Sequence, residues 1–397
     1  MQRKKRILAV CCAAHAIQDG LGAALYVILP VLAQTFGLTL TQIGALRAIN
    51  SGAMALLETL SGLLSEHLGE RSLLTFGLTC AGLGYMLLLF SDTYWMIGCC
   101  FFITGVGAAF QHALSSSMVS SAHDFKDRRS ALGIYNSSGD AGKLVFASLF
   151  SLVITIGIGW KTTAGLFGCI ALLGGIVILF ILVNLSAGGK SPASVVDHET
   201  GKKIGWGMSD KGSFSLLITA VFLDTAVQSS FLTFVAFFVA TKQVPLNIAT
   251  FAVTLVLIGG IFGKVICGFM AKHIGTRQAF TLIQLLTAVG IVLILSLDKV
   301  FCLIFLPFLG VVLQGSTSIT YSVVGDLIHP ERLSRGFSLI YTVSSLACFL
   351  GPVALGIISD YFGFEVTMYT MAGATLLSVL PMLLLNRKKR RQMNYKF

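Results

Sequence analysis

The sequence predicts an all-α membrane protein of twelve transmembrane helices in two pseudo-symmetric six-helix bundles. Three observations carry that prediction. First, the mean hydropathy is +0.86 and only 11% of the 397 residues are charged, too few to hydrate the surface of a soluble domain. Second, apolar runs recur twelve times, each able to cross a hydrocarbon layer of roughly 30 Å, which takes about 20 helical residues. Third, a shift of 206 residues lays Gly62, Gly69, Arg71, Arg129 and Tyr135 on Gly268, Gly275, Arg277, Arg335 and Tyr341. Internal repetition of this kind makes two similar helix bundles. The runs are too long and too continuously apolar to be the alternating strands of a membrane barrel.

Helix 1 is expected over 7–34. Its apolar run follows the basic start Arg3-Lys4-Lys5-Arg6 and is too long for a cleaved signal, so it stays attached. Helix 2 (42–65) and helix 3 (73–90) flank a charged turn that contains Glu66, Gly69 and Arg71. Helix 4 (94–119) and helix 5 (129–156) carry Gly105, Gly107, Gly139 and Gly142, small residues that let membrane helices approach closely. Helix 6 (162–184) completes a first half of 1–185. The polar stretch 186–212 reads as a flexible cytoplasmic linker. The second half, 213–386, repeats the plan with helices at 213–240, 247–271, 277–296, 300–326, 334–358 and 365–385, and a basic tail follows over 387–397. No stretch outside the helices is large enough to bury a core of its own, which excludes an attached catalytic domain.

Lys and Arg set the orientation. With the N-terminus inside, the opposite side holds only Lys161, Lys242 and Lys299, which places both termini in the cytoplasm and the chain in the inner, or plasma, membrane. The net charge of +11 then serves anionic headgroups rather than nucleic acid. The nine cysteines follow neither a disulfide nor a zinc spacing and read as packing residues. The glycines form no phosphate-binding loop, and neither an H-E-x-x-H nor a G-x-S-x-G motif occurs, so neither a cofactor nor an enzyme is expected.

The turn Gly62-Leu-Leu-Ser-Glu66-His-Leu-Gly69-Glu-Arg71 resembles the loop motif of the major facilitator superfamily, G-x-L-x-D-x-x-G-R-[RK], with Glu66 as its acid. His15-x3-Asp19, Phe36-Gly-Leu-Thr-Leu-Thr-Gln42-Ile43-Gly44 and Gly105-Val-Gly107-Ala-Ala-Phe110-Gln-His112 resemble the fosmidomycin-resistance branch of drug exporters. The chain departs from that branch where it reads Phe110-Gln111-His112-Ala113 instead of Phe-His-Pro-Glu, and where helix 5 carries Asp140 and Lys143. Phe101 stands near the place of the superfamily's helix 4 arginine. The resemblance implies a monomeric secondary transporter in the lipid bilayer that exchanges protons for a small polar or anionic organic molecule, outward by alternating access. A proton-coupled importer of an organic anion is the alternative, and a non-transporting receptor or assembly factor is the alternative of another class.

Ionisable groups inside the membrane are the candidate site, because each costs about 2.5–3.5 kcal/mol on insertion scales. His15 and Asp19 are four apart on one face of helix 1. Counting about 1.5 Å per residue puts His112 of helix 4 at the depth of His15. Histidine titrates near neutrality, so His15, Asp19 and His112 are candidates for proton coupling; polar packing of helix 1 on helix 4 is the alternative. Asp140 and Lys143, three apart in helix 5, are substrate-binding candidates or a mutually neutralised pair, and their repeat counterparts Leu346 and Phe349 are uncharged. Asp224, one position from the shifted image of Asp19, and Gln228 are expected to form a polar site of the second half facing the first. Gln314 in helix 10 and Arg47 near the outer end of helix 2 complete the substrate candidates, although for Arg47 the structural reading, snorkelling to the headgroups, comes first. Glu58 and Lys264, related by the shift, are gating candidates, with Lys264 on helix 8 expected to reach Asp140 on helix 5. Glu66 and Lys272 are expected to latch the cytoplasmic side.

Overall fold

The computed structural model describes residues 2–123, 125–189, 208, 210–328 and 333–385, without the side chains of Glu66, Arg129 and Arg335 among others. These residues are almost entirely helical; an isolated bridge between Met208 and Ile328 is the one β-type pairing among them. Helix 1 spans Gln2–Phe36, helix 2 Leu40–Leu68, helix 3 Glu70–Leu87, helix 5 Phe125–Thr155 and helix 6 Trp160–Asn184. In the second half helix 7 spans Lys211–Thr241, helix 8 Phe251–Ile274, helix 9 Thr276–Ser296 and helix 10 Lys299–Leu327. The continuous helical stretch Leu333–Leu377 is broken at Gly363, with φ 81° and ψ 172°, and the break separates helix 11 from helix 12. Ten stretches among the described residues are long and apolar enough to cross a membrane, Leu339–Leu384 being one that contains this break.

The backbone itself carries the repeat. Gly69 (φ 85°, ψ 143°) and Gly275 (φ 89°, ψ 149°) each end one helix and start the next. Each gives its N–H to the residue four earlier, Ser65 at 2.9 Å and Ala271 at 3.1 Å. A positive φ of this size is open to glycine and costly for a residue with a Cβ. Gly157 (φ 96°) and Gly363 (φ 81°) repeat the same relation at the turns before helices 6 and 12.

Helix 1 lies along helix 5, helix 8 along helix 10, and helix 7 along helix 11; helix 2 lies along helix 11 and helix 8 touches helix 5, which joins the halves. Lipid is as apolar as a leucine, so close packing and hydrogen bonds hold such helices rather than burial from water. The glycines serve that end. A Cβ at Gly142 would stand 2.1 Å from the Ala16 carbonyl oxygen, and one at Gly44 would stand 2.3 Å from that of Pro352. Phe76, Phe102, Phe180, Phe262 and Phe308 are exposed, as a surface facing acyl chains requires.

Apolar packing differs between the two ends. Leu25, Ile28 and Leu29 of helix 1 share one cluster with Phe231, Phe234 and Val235 of helix 7, so the halves are sealed together there. At the end that carries Arg3 and Arg71, each half keeps a cluster of its own. Ile7, Leu74, Met118 and Tyr135 form one; Phe214, Phe280, Ile319 and Ile340 form the other.

Two expectations need correction. Helix 4 is not continuous: Tyr94–Ala109 and His112–Ala122 are separate segments. The Phe110 and Gln111 N–H groups turn back to the carbonyls of Gly107 and Ala108, both at 3.3 Å, and the glycine- and alanine-rich stretch before them offers no side chains to resist a tight turn. Helix 1 begins earlier than expected because its basic start is anchored, Arg3 donating to the Leu185 and Ser186 carbonyls at 2.9 and 3.1 Å. Most of the expected linker 186–212 and all of the tail 387–397 lie outside the described residues.

Candidate functional site

Three helices of the first half bring their ionisable groups to one place. Helix 1 supplies His15 and Asp19 one turn apart, and the break in helix 4 makes His112 the first residue of a new segment. Helix 5 supplies Asp140 and Lys143. Gly139 makes the meeting possible: a Cβ there would stand 2.5 Å from His15 Cε1 and 2.9 Å from Asp19 Oδ2. Any side chain at 139 would push helix 5 off the His15–Asp19 pair.

Asp19 is the hub. Lys143 Nζ lies 2.9 Å from its Oδ2 and His15 Nε2 lies 3.4 Å from the same oxygen. His112 Nε2 lies 3.6 Å from Oδ1. Lys143 is closer to Asp19 than to Asp140, its expected partner, at 3.4 Å. Lys264 completes the series by donating to Asp140 at 2.5 Å from the other half of the molecule. The series runs Lys264, Asp140, Lys143, Asp19, so charges alternate in sign and sum to zero when both histidines are neutral.

The histidines carry any imbalance. His15 Nδ1 lies 2.9 Å from the Tyr135 carbonyl oxygen, which only accepts, so Nδ1 holds the hydrogen. Nε2 is then the atom that takes up a further proton, directly beside Asp19. Two shift-related tyrosines bracket the pair. Tyr135 stacks on His15 with centroids 4.2 Å apart, and Tyr341 of the second half stacks on His112 at 5.5 Å. Their coincidence under the repeat was visible in the sequence; their stacking was not, since ring contacts depend on which helices meet. The ligand atoms of His15, Asp19 and His112 lie within 4.8 Å of one another, a donor set suited to a divalent ion. Lys143 already neutralises Asp19, so a metal ion would have to displace it.

The remaining candidates take different positions. Glu58 is buried on helix 2, where Ser345 of helix 11 donates to its Oε2 at 3.3 Å and its Oε1 has no partner among the described residues. Glu58 and Lys264 thus both reach across the two halves, Glu58 to a neutral serine and Lys264 to a carboxylate. Between the halves, Asp140, Lys143, Lys264, Gly260 and Gln314 among others line a cavity of only about 10 Å³. That is below the roughly 300–1,000 Å³ of a small-molecule pocket. Gln314 presents a buried Nε2 that has no partner among the described residues.

Arg47 does not snorkel to headgroups. It is buried, and its guanidinium donates to Asn50 at 2.8 Å and to the Tyr26 hydroxyl at 2.9 Å; these groups replace the water it would otherwise seek. Among the described residues, the hydrogen-bond partners of Asp224 and Gln228 lie in their own half. Asp224 accepts from Gln228 at 2.8 Å, Ser316 at 2.7 Å and Gln284 at 2.8 Å, and so turns toward helices 9 and 10. Gln284, which sequence reasoning missed, gave no signal except a polar side chain within an apolar run. Lys272 is exposed, and the side chain of Glu66 lies outside the described residues.

Two repeated helical halves joined across their interface by a partly buried lysine–aspartate pair make the architecture of a secondary transporter. The family model of the Major Facilitator Superfamily matches residues 11–249 and 216–396. The chain belongs to that superfamily and is a multi-pass membrane transporter, not an enzyme. It is 25% identical over 398 residues to an uncharacterized MFS-type transporter, YfnC, of Bacillus subtilis (strain 168), covering 97% of this chain and 93% of that one. A shorter match, 33% identical over 134 residues and a third of each chain, is to the class G tetracycline resistance protein of Vibrio anguillarum. An MFS-type efflux pump of Mycolicibacterium smegmatis matches at 23% identity over 57% of this chain and 54% of that one. Among solved structures, a bacterial homolog of the human lysosomal transporter Spinster, inward-facing and occupied, superposes with a TM-score of 0.77. It covers 95% of this chain and 96% of that one at 14% identity, which shows the fold alone.

Proposed function

We propose that this protein is a proton-coupled exporter of a small polar or anionic organic molecule, working as an antiporter by alternating access in the inner, or plasma, membrane with both termini in the cytoplasm. The observation that carries the reading is the Asp19 hub, in which one carboxylate is shared by Lys143, His15 and His112. When His15 Nε2 is unprotonated, its lone pair faces the carboxylate and Lys143 alone balances Asp19. A proton on Nε2 makes an imidazolium–carboxylate pair and loosens the hold on Lys143. Lys143 is then free for Asp140, or for an anion that enters between the halves and competes with Asp140 for Lys143 and Lys264. Proton and substrate are thereby linked through one lysine, and a ligand moves such an equilibrium only as far as its affinities for the two states differ.

Lys264 and Asp140 sit on opposite halves, so their contact breaks when the halves part. With the basic end in the cytoplasm, the cluster shared by helices 1 and 7 seals the outer side and the arrangement is inward-facing. Arg47, buried behind that seal with an Nε that has no partner among the described residues, becomes the anion-facing group once the seal opens. Export is favoured by the likeness to efflux proteins and to the fosmidomycin-resistance branch in helices 1, 2 and 4. The test is transport in everted and right-side-out vesicles under an imposed pH gradient, with antibiotics and organic acids as candidate substrates. Accumulation in everted vesicles that acidification of their lumen drives, and that Asp19→Asn abolishes, is the expected result. Uptake in right-side-out vesicles instead makes the protein an importer of an organic anion. A gradient without effect in either orientation removes both readings.

A further inference from the structure

The second half holds a buried carboxylate that the scheme above leaves unused. Asp224 is 5% exposed and is surrounded by neutral groups: Gln228 one turn on along helix 7, Gln284 from helix 9 and Ser316 from helix 10. Beyond Gln284 stands Ser378 at the end of helix 12. No lysine, arginine or histidine among the described residues makes an ion pair or hydrogen bond with Asp224. Its three donors stand 2.7–2.8 Å away, which leaves no room for a metal ion or a substrate. A proton is the cation that fits.

A protonated carboxyl becomes a donor and needs an acceptor, and the same cluster supplies one. Gln284 is fully buried and uses its Nε2 twice, toward Asp224 at 2.8 Å and Ser378 at 2.9 Å. Its Oε1 has no partner among the described residues, an expensive omission for a buried carbonyl. Turning the amide over brings Oε1 to Asp224, where it accepts from the protonated carboxyl. The Ser378 hydroxyl, now donating to the Thr375 carbonyl at 2.6 Å, can then turn to Oε1. The ionised carboxylate therefore pairs with the amide through Nε2, and the protonated carboxyl pairs with it through Oε1.

We propose that Asp224 is a proton-binding site of the second half, with the Gln284 amide as the switch that follows its protonation. The transporter then has two proton loci, one beside Asp19 in each cycle of the first half and one at Asp224, on opposite sides of the interface that Lys264 and Asp140 span. Use of this proton in transport rests on the proton-coupled reading, but the binding does not.

Infrared difference spectra of the purified full-length protein, recorded between alkaline and acid pH, test the assignment through the C=O stretch of a buried protonated carboxyl. The wild type is expected to gain such a band on acidification, Asp224→Asn to lose it and Asp19→Asn to retain it. Ser316→Ala, which keeps the carboxyl and removes one donor to its ionised form, is expected to tighten proton binding roughly tenfold and move the band's midpoint up by about one pH unit. A band unchanged in Asp224→Asn, or a midpoint unmoved in Ser316→Ala, overturns the proposal. If the band is lost as expected while a pH gradient fails to drive transport in the wild type, the site stands and the proton-coupled reading falls.

Discussion

Asp19 and Asp224 occupy nearly the same place in the two repeats, and their surroundings could hardly differ more. Asp19 is held by Lys143, His15 and His112; Asp224 is held by two amides and a hydroxyl. Both are buried. The first belongs to a series of charges that reaches Lys264 in the other half, whereas the second is confined to helices 7, 9 and 10 of its own half. The two repeats share a backbone frame, down to the positive φ of Gly69 and Gly275, while the chemistry inside them differs. A charge balanced by other charges responds to whatever enters between the halves. A charge balanced by dipoles responds to a proton alone.

Removing charge from each carboxylate should break the comparison most sharply. Asp19→Asn leaves Lys143 and Lys264 to share the single carboxylate of Asp140, one positive charge too many in a partly buried setting, and the loss should approach but stay below the about 3–5 kcal/mol of a fully buried ion pair that loses one partner. Thermal unfolding of the detergent-purified protein should show it, together with loss of gradient-driven transport. Lys264→Met removes the ion pair between the halves and leaves Lys143 between the two carboxylates of Asp19 and Asp140. Distances between spin labels on helices 5 and 8 should then report a shift toward the separated state of about 1–3 kcal/mol, typical of conformational coupling.

Gly69→Ala and Gly275→Ala should each destabilise by about 1–2 kcal/mol, the usual penalty of a side chain in the left-handed region. Equal effects would sharpen the view that the frame is shared; a large difference would break it. Asp224→Asn should change stability by less than about 1 kcal/mol, because an asparagine keeps the shape and the turned Gln284 amide offers its side chain an acceptor. A loss as large as that of Asp19→Asn would contradict the contrast drawn between the two sites.

The smallest effect is expected at the exposed pair Lys4–Asp127, 2.7 Å apart. The hydrogen bond and charge of Lys4 hold the Asp127 carboxyl below the usual carboxylate range. Whatever stability this contributes is present above the unfolded carboxylate's titration and lost as pH falls through the folded one. Solvent screening makes it weak, and Asp127→Asn should leave the unfolding temperature at neutral pH unchanged.

Much of this molecule was legible before any coordinates. Hydropathy is a local property, and each helix satisfies its own backbone, so the helical segments and the membrane class follow from composition and run length. The repeat follows from residue identity at fixed spacing, and the depth of His15, Asp19 and His112 follows from the rise of the helix. The partner of each charge was another matter. The sequence placed Lys143 three residues from Asp140 but could not show that Asp19, on another helix, lies nearer. It placed Arg47 within reach of headgroups, yet Tyr26 and Asn50 intercept it. It aligned Asp224 with Asp19 and could not reveal that helix 9 turns Gln284 toward one and Gly139 clears a path for His15 and Lys143 at the other. Contacts between helices join residues far apart in the chain, and a rotation of one helix by a fraction of a turn exchanges one neighbour for another. Chain order alone therefore decided what this protein is made of and where its charges lie in depth, while the packing of helices decided which of them meet.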